Sequence, residues 1–383
     1  MARPSYYEFF AGGGMARAGL GEGWTCLMAN DVDAKKAAAY AANWGDGHFR
    51  LADIANLTAE DLPRRADLAW ASFPCQDLSL AGAGKGLGGA RSGLFFAFSR
   101  LMRDLERQGR APCLIALENV VGLLTSHGGA DFVAVTRTLV DLGYRVGAMT
   151  IDAAHFTPQS RPRVFIVALR ADIAPPPGLI GAAPEAWASS PALIAAAARL
   201  TGGEAARDWL WWRLPAPARR NTVFADIVER RPRGVAWHEP EETRRLIGMM
   251  TPANRLKLDR LRAGAARDWA TAYRRTRPDG EGGKTQRVEL RVDGLAGCLR
   301  TPAGGSSRQI VFEASRAAVR SRLLSPREAA RLMGLPDDYI LPDAYNDAYH
   351  LLGDGVAASV VRYLRQALLA PLLAPGAARA AAA

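Results

Sequence analysis

From Tyr6 to about Leu169, short apolar runs alternate with helical stretches, and this alternation limits the fold more than any other feature of the chain. Strands are expected at residues 6–10, 25–29, 68–72, 113–117, 146–151 and 163–168. Helices are expected between them, including residues 94–108 and 131–142. Strands separated by helices of this length do not pair as tight hairpins. They require crossovers, and so an α/β domain built on a mainly parallel sheet. In such sheets ligands bind beyond the carboxyl ends of the strands. The sequences that carry chemistry fall at those ends.

After Arg170 the texture changes. Pro175-Pro176-Pro177 forms a stiff break, and an Ala-rich stretch runs to about Ala198. A Trp- and Arg-rich region without clear α/β alternation follows to about Arg320, and helix-like patterning returns at residues 325–335 and 353–369. No internal repeat is evident. A chain of 383 residues, 49% hydrophobic, is long enough for two domains.

Several classes are excluded or disfavoured. The cysteines stand far apart at 26, 75, 113 and 298 with no CxxC pair, which fits a reducing cytoplasm better than a disulfide framework or zinc site. The histidines at 48, 127, 155, 238 and 350 are equally dispersed, so no metal is expected. Met1-Ala2-Arg3-Pro4 runs directly into a strand-like stretch, leaving no room for a signal peptide. The Ala/Leu-rich tail is broken by Pro371 and Pro375, so no membrane span is expected. The net charge of +11 favours a polyanionic partner. Residues 201–300 concentrate that charge, with 21 Lys and Arg against 13 Asp and Glu.

Phe73-Pro74-Cys75-Gln76-Asp77-Leu78-Ser79-Leu80 follows the apolar run 68–71. A thiol at a strand tip is placed for nucleophilic attack, although a lone cysteine is more often a small core residue. Phe10-Ala11-Gly12-Gly13-Gly14 follows the first strand, where glycines let the backbone approach a ligand; a plain tight turn would look similar. Asp31, beside Val32, suits ribose hydroxyls, and Asp53 with apolar Ile54 suits an adenine clamp; either acid alone is more often a helix cap or surface charge. Glu118-Asn119-Val120 puts an acid at a buried strand end, where desolvation favours the protonated form; a capping carboxylate is the alternative. In Gln159-Ser160-Arg161-Pro162-Arg163 two arginines lie on the same side of an extended segment and can hold a phosphate and a base edge, or form an ordinary surface pair.

Taken in order, these sequences resemble the DNA (cytosine-5) methyltransferase family of bacterial type. Phe10–Gly14 is similar to its cofactor motif, Pro74-Cys75-Gln76 to its nucleophile motif, and Glu118-Asn119-Val120 to its acid motif. Gln159-x-Arg161-x-Arg163 resembles its base-and-phosphate motif. Residues 322–336 resemble the helix joining its two domains, and Gly353-Asp354-Gly355-Val356 its final cofactor motif, with Asp354 where the family usually has asparagine. Residues 82–96, including Lys85, Arg91 and Leu94, resemble its mobile active-site loop, and residues 298–309, with Arg300 and Arg308, a recognition loop.

The resemblance implies a Rossmann-like, S-adenosylmethionine-dependent methyltransferase fold with a mixed sheet and a smaller inserted target-recognition domain. The implied divisions are 1–172 for the catalytic part, 173–320 for target recognition, 321–370 for the bridging helix and the end of the catalytic domain, and a disordered tail at 371–383. It implies transfer of a methyl group from S-adenosyl-L-methionine to carbon 5 of a flipped cytosine through a Cys75 adduct, with Glu118, Arg161 and Arg163 assisting. Phe10, Ala11, Gly12, Gly14, Asp31, Val32, Asp53, Ile54, Pro74, Leu94 and Asp354 are the implied cofactor residues. Gln76, Ser79, Lys85, Arg91, Arg300 and Arg308 are the implied DNA contacts. Asp354 is expected to cap the helix after it and to touch the cofactor loosely. Double-stranded DNA is the expected partner of a monomeric, cytoplasmic enzyme, with a cognate restriction endonuclease as an optional companion. Three rivals stay open: a tRNA cytosine-5 methyltransferase with a similar core, a non-catalytic DNA-binding relative, and a nicotinamide-dependent oxidoreductase.

Overall fold

The computed structural model describes residues 3–73, 93–200, 204–264, 267–278, 283–301 and 308–374. The chain folds as two compact units, one of residues 1–151, 162–217 and 360–383 and one of residues 152–161 and 218–359. The first unit therefore runs past the expected boundary at 172, and the second takes in residues 321–359.

Among the described residues of the first unit the strands are β1 (Ser5–Phe9), β2 (Thr25–Asp31), β3 (Phe49–Leu51), β4 (Leu68–Ala71), β5 (Leu114–Val120), β6 (Tyr144–Asp152), β7 (Pro162–Arg170), β8 (Ile180–Gly181) and β9 (Trp209–Trp212). They form one sheet in the order β3-β2-β1-β4-β5-β7-β6-β9-β8. The pairs β2–β3, β1–β2, β1–β4 and β4–β5 are parallel, while β5–β7 is antiparallel, so the sheet is mixed as expected. Leu68, Ala69, Trp70 and Ala71 of β4 are all buried, because a central strand covered on both faces has no polar side.

The helices that follow β1, β2, β4 and β5 are α1 (Met15–Leu20), α2 (Ala34–Trp44), α3 (Leu94–Arg107) and α4 (Ala130–Asp141). In α3 the buried Phe95, Phe98, Leu101, Met102 and Leu105 recur at helical spacing, leaving Arg100, Arg103 and Arg107 outward. Asp33 caps α2, its side chain accepting from the backbone of Lys35 at 2.8 Å and of Lys36 at 3.2 Å. Phe9, Phe98, Leu117, Phe132 and Ile166 belong to one core cluster built on this sheet.

The second unit holds an antiparallel sheet of β10 (Asp268–Pro278), β11 (Lys284–Arg291), β12 (Ile310–Ala314) and β13 (Val319–Leu323), in the order β11-β10-β12-β13. The helices Pro240–Gly248 and Pro252–Ala263 cover it with Leu246 and Leu258, against Ala272, Val288 and Phe312. The region that lacks α/β alternation in sequence is thus folded on strand meanders. The helix Pro326–Leu332 begins at a capping box of Ser325 and Glu328, and Glu328 also forms a fully buried ion pair with Arg322 at 2.6 Å. The helix expected over 353–369 is broken: one helix ends at Asp354 and the next begins at Ala358. No helix among the described residues is long and apolar enough to cross a membrane.

Candidate active site

Where β1 ends, Phe10 adopts φ 56° and Gly12 φ 55°, so the chain reverses sharply before α1. The Gly12 N–H donates to Asp31 Oδ2 at 2.8 Å, and Asp31 Oδ1 accepts from Asp33 N at 2.9 Å. Asp31 thereby ties the turn after β1 to the end of β2. A Cβ at Gly12 would meet nothing within 4 Å, whereas one at Gly14 would strike Trp44 and lie 2.9 Å from Tyr40. Gly14 is thus required by packing; Gly12 borders open space. Beside the turn Val32 is 68% exposed, an unusual position for a valine at a strand end. Asp53 is exposed and its Oδ1 accepts from Ala55 N at 2.8 Å, while Ile54 is buried. Ala11 is buried, and Leu94 opens α3 half-buried against the core.

Beneath this turn lies a polar group that no motif pointed to. Glu8, inside β1, is buried; its Oε1 accepts from Arg17 N at 3.3 Å and its Oε2 has no partner. Burial pushes its carboxyl up to about 8, against the pull of the Arg17 backbone and guanidinium. α1 has no side-chain cap of its own at Gly14, and Glu8 supplies an acceptor to its first turn instead. Arg17 donates to the Tyr40 hydroxyl at 2.9 Å, and that hydroxyl lies 3.0 Å from His48 Nε2. Burial also pushes the neighbouring Cys26 thiol up to about 11, which keeps it protonated and unreactive. The available signal for Glu8 was a lone acid in the apolar run Tyr6-Tyr7-Glu8-Phe9.

β5 does not stop at Leu117 but continues to Val120, so Glu118 sits within the ladder opposite Phe165. Its partner strand begins at Pro162, and alternate positions of that strand share a face. Arg163 therefore projects on the Glu118 side, and its Nε lies 3.1 Å from Glu118 Oε1. The two side chains are only 14% and 7% exposed. An ion pair this enclosed holds its carboxylate in one orientation. The next residue, Asn119, turns to the other face and donates from Nδ2 to the Phe73 carbonyl at 2.9 Å, while its Oδ1 accepts from Val120 N. Asn119 thus pins the chain where it leaves β4, two residues before Cys75. Pro74, Cys75, Gln76, Ser79, Lys85 and Arg91 lie outside the described residues.

Arg161, Arg300, Arg308 and Asp354 belong to the second unit. Arg161 is 2% exposed, and its guanidinium donates to the carbonyls of Leu299 at 2.9 Å, Gly353 at 2.9 Å and Gly355 at 2.7 Å. Gln159 is fully buried and works alongside it, donating to Leu332 O at 2.9 Å and accepting from Leu299 N at 3.1 Å. These two side chains anchor the start of the 298–309 segment. Gly353 allows that segment close: a Cβ there would come within 3.1 Å of the Arg300 and Thr301 backbone. Arg300 is exposed, whereas Arg308 is folded onto the helix Tyr345–Asp354, donating to Asn346 Oδ1 at 2.5 Å with its guanidinium over the Tyr345 ring. Residues 302–307 of the segment lie outside the described residues. Asp354 is the last residue of the preceding helix, and its carboxylate accepts from the Thr301 hydroxyl.

Type II methyltransferase M.HhaI of Haemophilus parahaemolyticus is 24% identical over 364 residues, 94% of this chain and 92% of the relative. M.HpaII of Haemophilus parainfluenzae is 25% identical over 391 residues, 96% of this chain and 90% of the relative. M.BsuFI of Bacillus subtilis is 33% identical over 171 residues, 44% of this chain and 40% of the relative. The crystal structure of S. pombe Dnmt2 methyltransferase shares the fold, with TM-score 0.56 and 18% identity over 97% of this chain and 99% of that one. The family model for C-5 cytosine-specific DNA methylases matches residues 5–370. The chain belongs to that family and is a DNA (cytosine-5) methyltransferase.

Proposed function

We propose that this enzyme methylates carbon 5 of a cytosine within a specific duplex sequence, acting on a base turned out of the helix through a transient Cys75 adduct. The observation that carries the reading is the enclosed Glu118–Arg163 pair at the carboxyl end of β5, next to a chain that Asn119 pins just ahead of Cys75. Carbon 5 of cytosine is a poor nucleophile and is inaccessible inside the stack. The Cys75 thiolate adds to carbon 6, and the displaced electron pair moves toward ring nitrogen 3. Glu118 protonates or hydrogen-bonds that nitrogen, while Arg163 orients Glu118 and would hold the base carbonyl oxygen. Carbon 5 gains nucleophilic character as a result. After methylation the proton on nitrogen 3 returns to Glu118, a base such as water takes the carbon 5 proton, and Cys75 leaves with its electron pair.

S-adenosyl-L-methionine supplies the electrophilic methyl group when bound. The residues present fit it: the turn at Phe10–Gly12 opens onto free space, Val32 offers an exposed apolar surface, and Asp53 is exposed beside it. Phe10, Ala11 and Gly12 would hold its amino-acid end, and Asp31, Val32, Asp53 and Ile54 its nucleoside. Arg161 and Gln159 support recognition indirectly, by anchoring the segment that carries Arg300.

The test offers duplex DNA and tRNA separately with labelled methyl donor, and identifies the modified base by mass spectrometry. 5-Methylcytosine in DNA, with covalent trapping on a 5-fluorocytosine duplex lost in Cys75→Ala, is the expected result. Modification of tRNA alone, or trapping by Cys75→Ala, would overturn the reading.

A further inference from the structure

The antiparallel pair β10–β11 sets Thr271 opposite Arg291, Tyr273 opposite Glu289, Arg275 opposite Arg287 and Arg277 opposite Thr285. These residues share one face of the ribbon, because alternate positions point the same way. Ala272 and Leu290, on the other face, enter the core. Two arginines directly opposite one another repel, and natural ladders avoid such pairs unless something offsets the charge. The carboxylates on this face offset it only in part. Glu289 is engaged by Arg277, whose Nε lies 2.8 Å away, and is 3.9 Å from Arg275. Asp293 is engaged by Arg291, with Nε to Oδ1 at 3.1 Å. Among the described residues Arg287 has no carboxylate within ion-pair distance.

The same face supports the start of the candidate recognition segment. Thr271 Oγ1 donates to Leu295 O at 2.9 Å, and a Cβ at Gly297 would lie 3.2 Å from the Tyr273 ring. Arg275 is the next position along that face, roughly 7 Å further toward the hairpin end. Its guanidinium lies 5.1 Å from the Tyr273 ring centroid, which steadies its direction. Arg275 is 43% exposed, so its donors remain accessible.

We propose that Arg275 and Arg287 clamp one backbone phosphate of the duplex, setting the register of the adjoining 298–309 segment on the DNA. The proposal rests on the reading that this enzyme acts on duplex DNA. A phosphate between the two guanidiniums accepts from both and turns their repulsion into attraction. Phosphate contacts fix position and orientation without reading sequence. The pair is thus a positioning device, separate from base recognition.

The test uses the full chain, a short duplex of arbitrary sequence, and a duplex carrying the site that wild-type enzyme methylates in plasmid DNA. Affinities of wild type, Arg275→Gln, Arg287→Gln, the double variant and Arg287→Lys are measured over a range of salt. Each neutral substitution should weaken both duplexes alike, by roughly fivefold to tenfold near 0.1 M salt, and the double variant should lower the log–log salt slope by about 0.9, the share of one phosphate. Arg287→Lys should retain most of the slope. The DNA-free Arg287→Gln variant should melt no lower than wild type, since a repulsion has been removed. Unchanged affinity and slope in the double variant, a loss confined to the methylated site, or a lower melting temperature of Arg287→Gln would each overturn the assignment. Failure of wild type to methylate duplex DNA at all would instead overturn the parent reading.

Discussion

Arg163 Nε lies 3.1 Å from Glu118 Oε1, and the two side chains come from antiparallel neighbours β7 and β5, both largely shielded from water. The pair fixes where the carboxyl group points, and that direction is what a proton donor to a ring nitrogen needs. Glu118→Gln should reduce turnover by at least ~10²-fold, the scale for losing a positioned acid. Arg163→Lys should also lower kcat, because an ammonium keeps the charge but loses the planar fork. Combined, the two substitutions should cost far less than the sum of their separate effects. Single-turnover methyl transfer at saturating DNA and cofactor decides this. Simple additivity would mean that the two side chains act independently.

Asn119 connects β5 to the chain leaving β4 through its 2.9 Å bond to the Phe73 carbonyl. Asn119→Ala leaves a buried acceptor unmatched and should cost about 1–3 kcal/mol of stability. Turnover per folded molecule should fall as well, since the chain ahead of Cys75 loses its tether. Denaturant unfolding combined with active-fraction-corrected kinetics separates the two effects. Lost stability with full turnover would reduce Asn119 to a packing role.

Six of the nine described strands of the first unit are legible in sequence because they are short apolar runs with helices between them, whereas β3, β8 and β9 are not expected. Expected ends at residues 168 and 117 differ from the observed Arg170 and Val120 by only a few residues. The small error at β5 still matters, since it places Glu118 after the strand rather than within the ladder beside Arg163. In the second unit the helix Pro326–Leu332 is legible, within the expected 325–335, but the sheet is not. The arginines of β10 and β11 interrupt any apolar alternation, and the partners of β10 are β11 and the more distant β12. Asp354 departs from expectation for a different reason: it is expected to open the helix after it, but it is the last residue of the helix Tyr345–Asp354. Glu8 escapes a sequence reading because one acid in an apolar strand has no spacing pattern to reveal it.

Glu8 makes stability depend on pH in a direction opposite to that of a salt-bridged acid. Its folded-state value of about 8 lies above the ordinary 4.5, owing chiefly to burial, with Asp31 adding to the rise and Arg17 opposing it. The folded chain therefore retains a proton that the unfolded chain releases. The contribution is fully present below the unfolded value and is lost as pH rises toward 8, with a slope of up to ~1.4 kcal/mol per pH unit. Glu8→Gln cannot ionise, so it should gain on wild type as pH rises from about 5 to about 9. Unfolding free energies across that range test this. Parallel curves for the two proteins would show that Glu8 keeps its charge when buried.

Gly12 and Gly14 both have positive φ, at 55° and 78°, but their surroundings differ. A side chain at Gly14 collides with Trp44 and Tyr40, whereas one at Gly12 enters open space. Gly14→Ala should therefore be the more destabilising, since it combines overpacking with left-handed strain; overpacking alone costs about 1–3 kcal/mol. Gly12→Ala carries only the backbone strain, about 1–2 kcal/mol. If that open space receives the methyl donor, Gly12→Ala should nevertheless weaken S-adenosylmethionine binding by ~10-fold or more, about 1.4 kcal/mol. Calorimetric titration of the cofactor, run beside thermal melting, separates the two sites. A Gly12→Ala enzyme that binds cofactor as tightly as wild type would place the ligand elsewhere, and Gly12 would then serve only the turn.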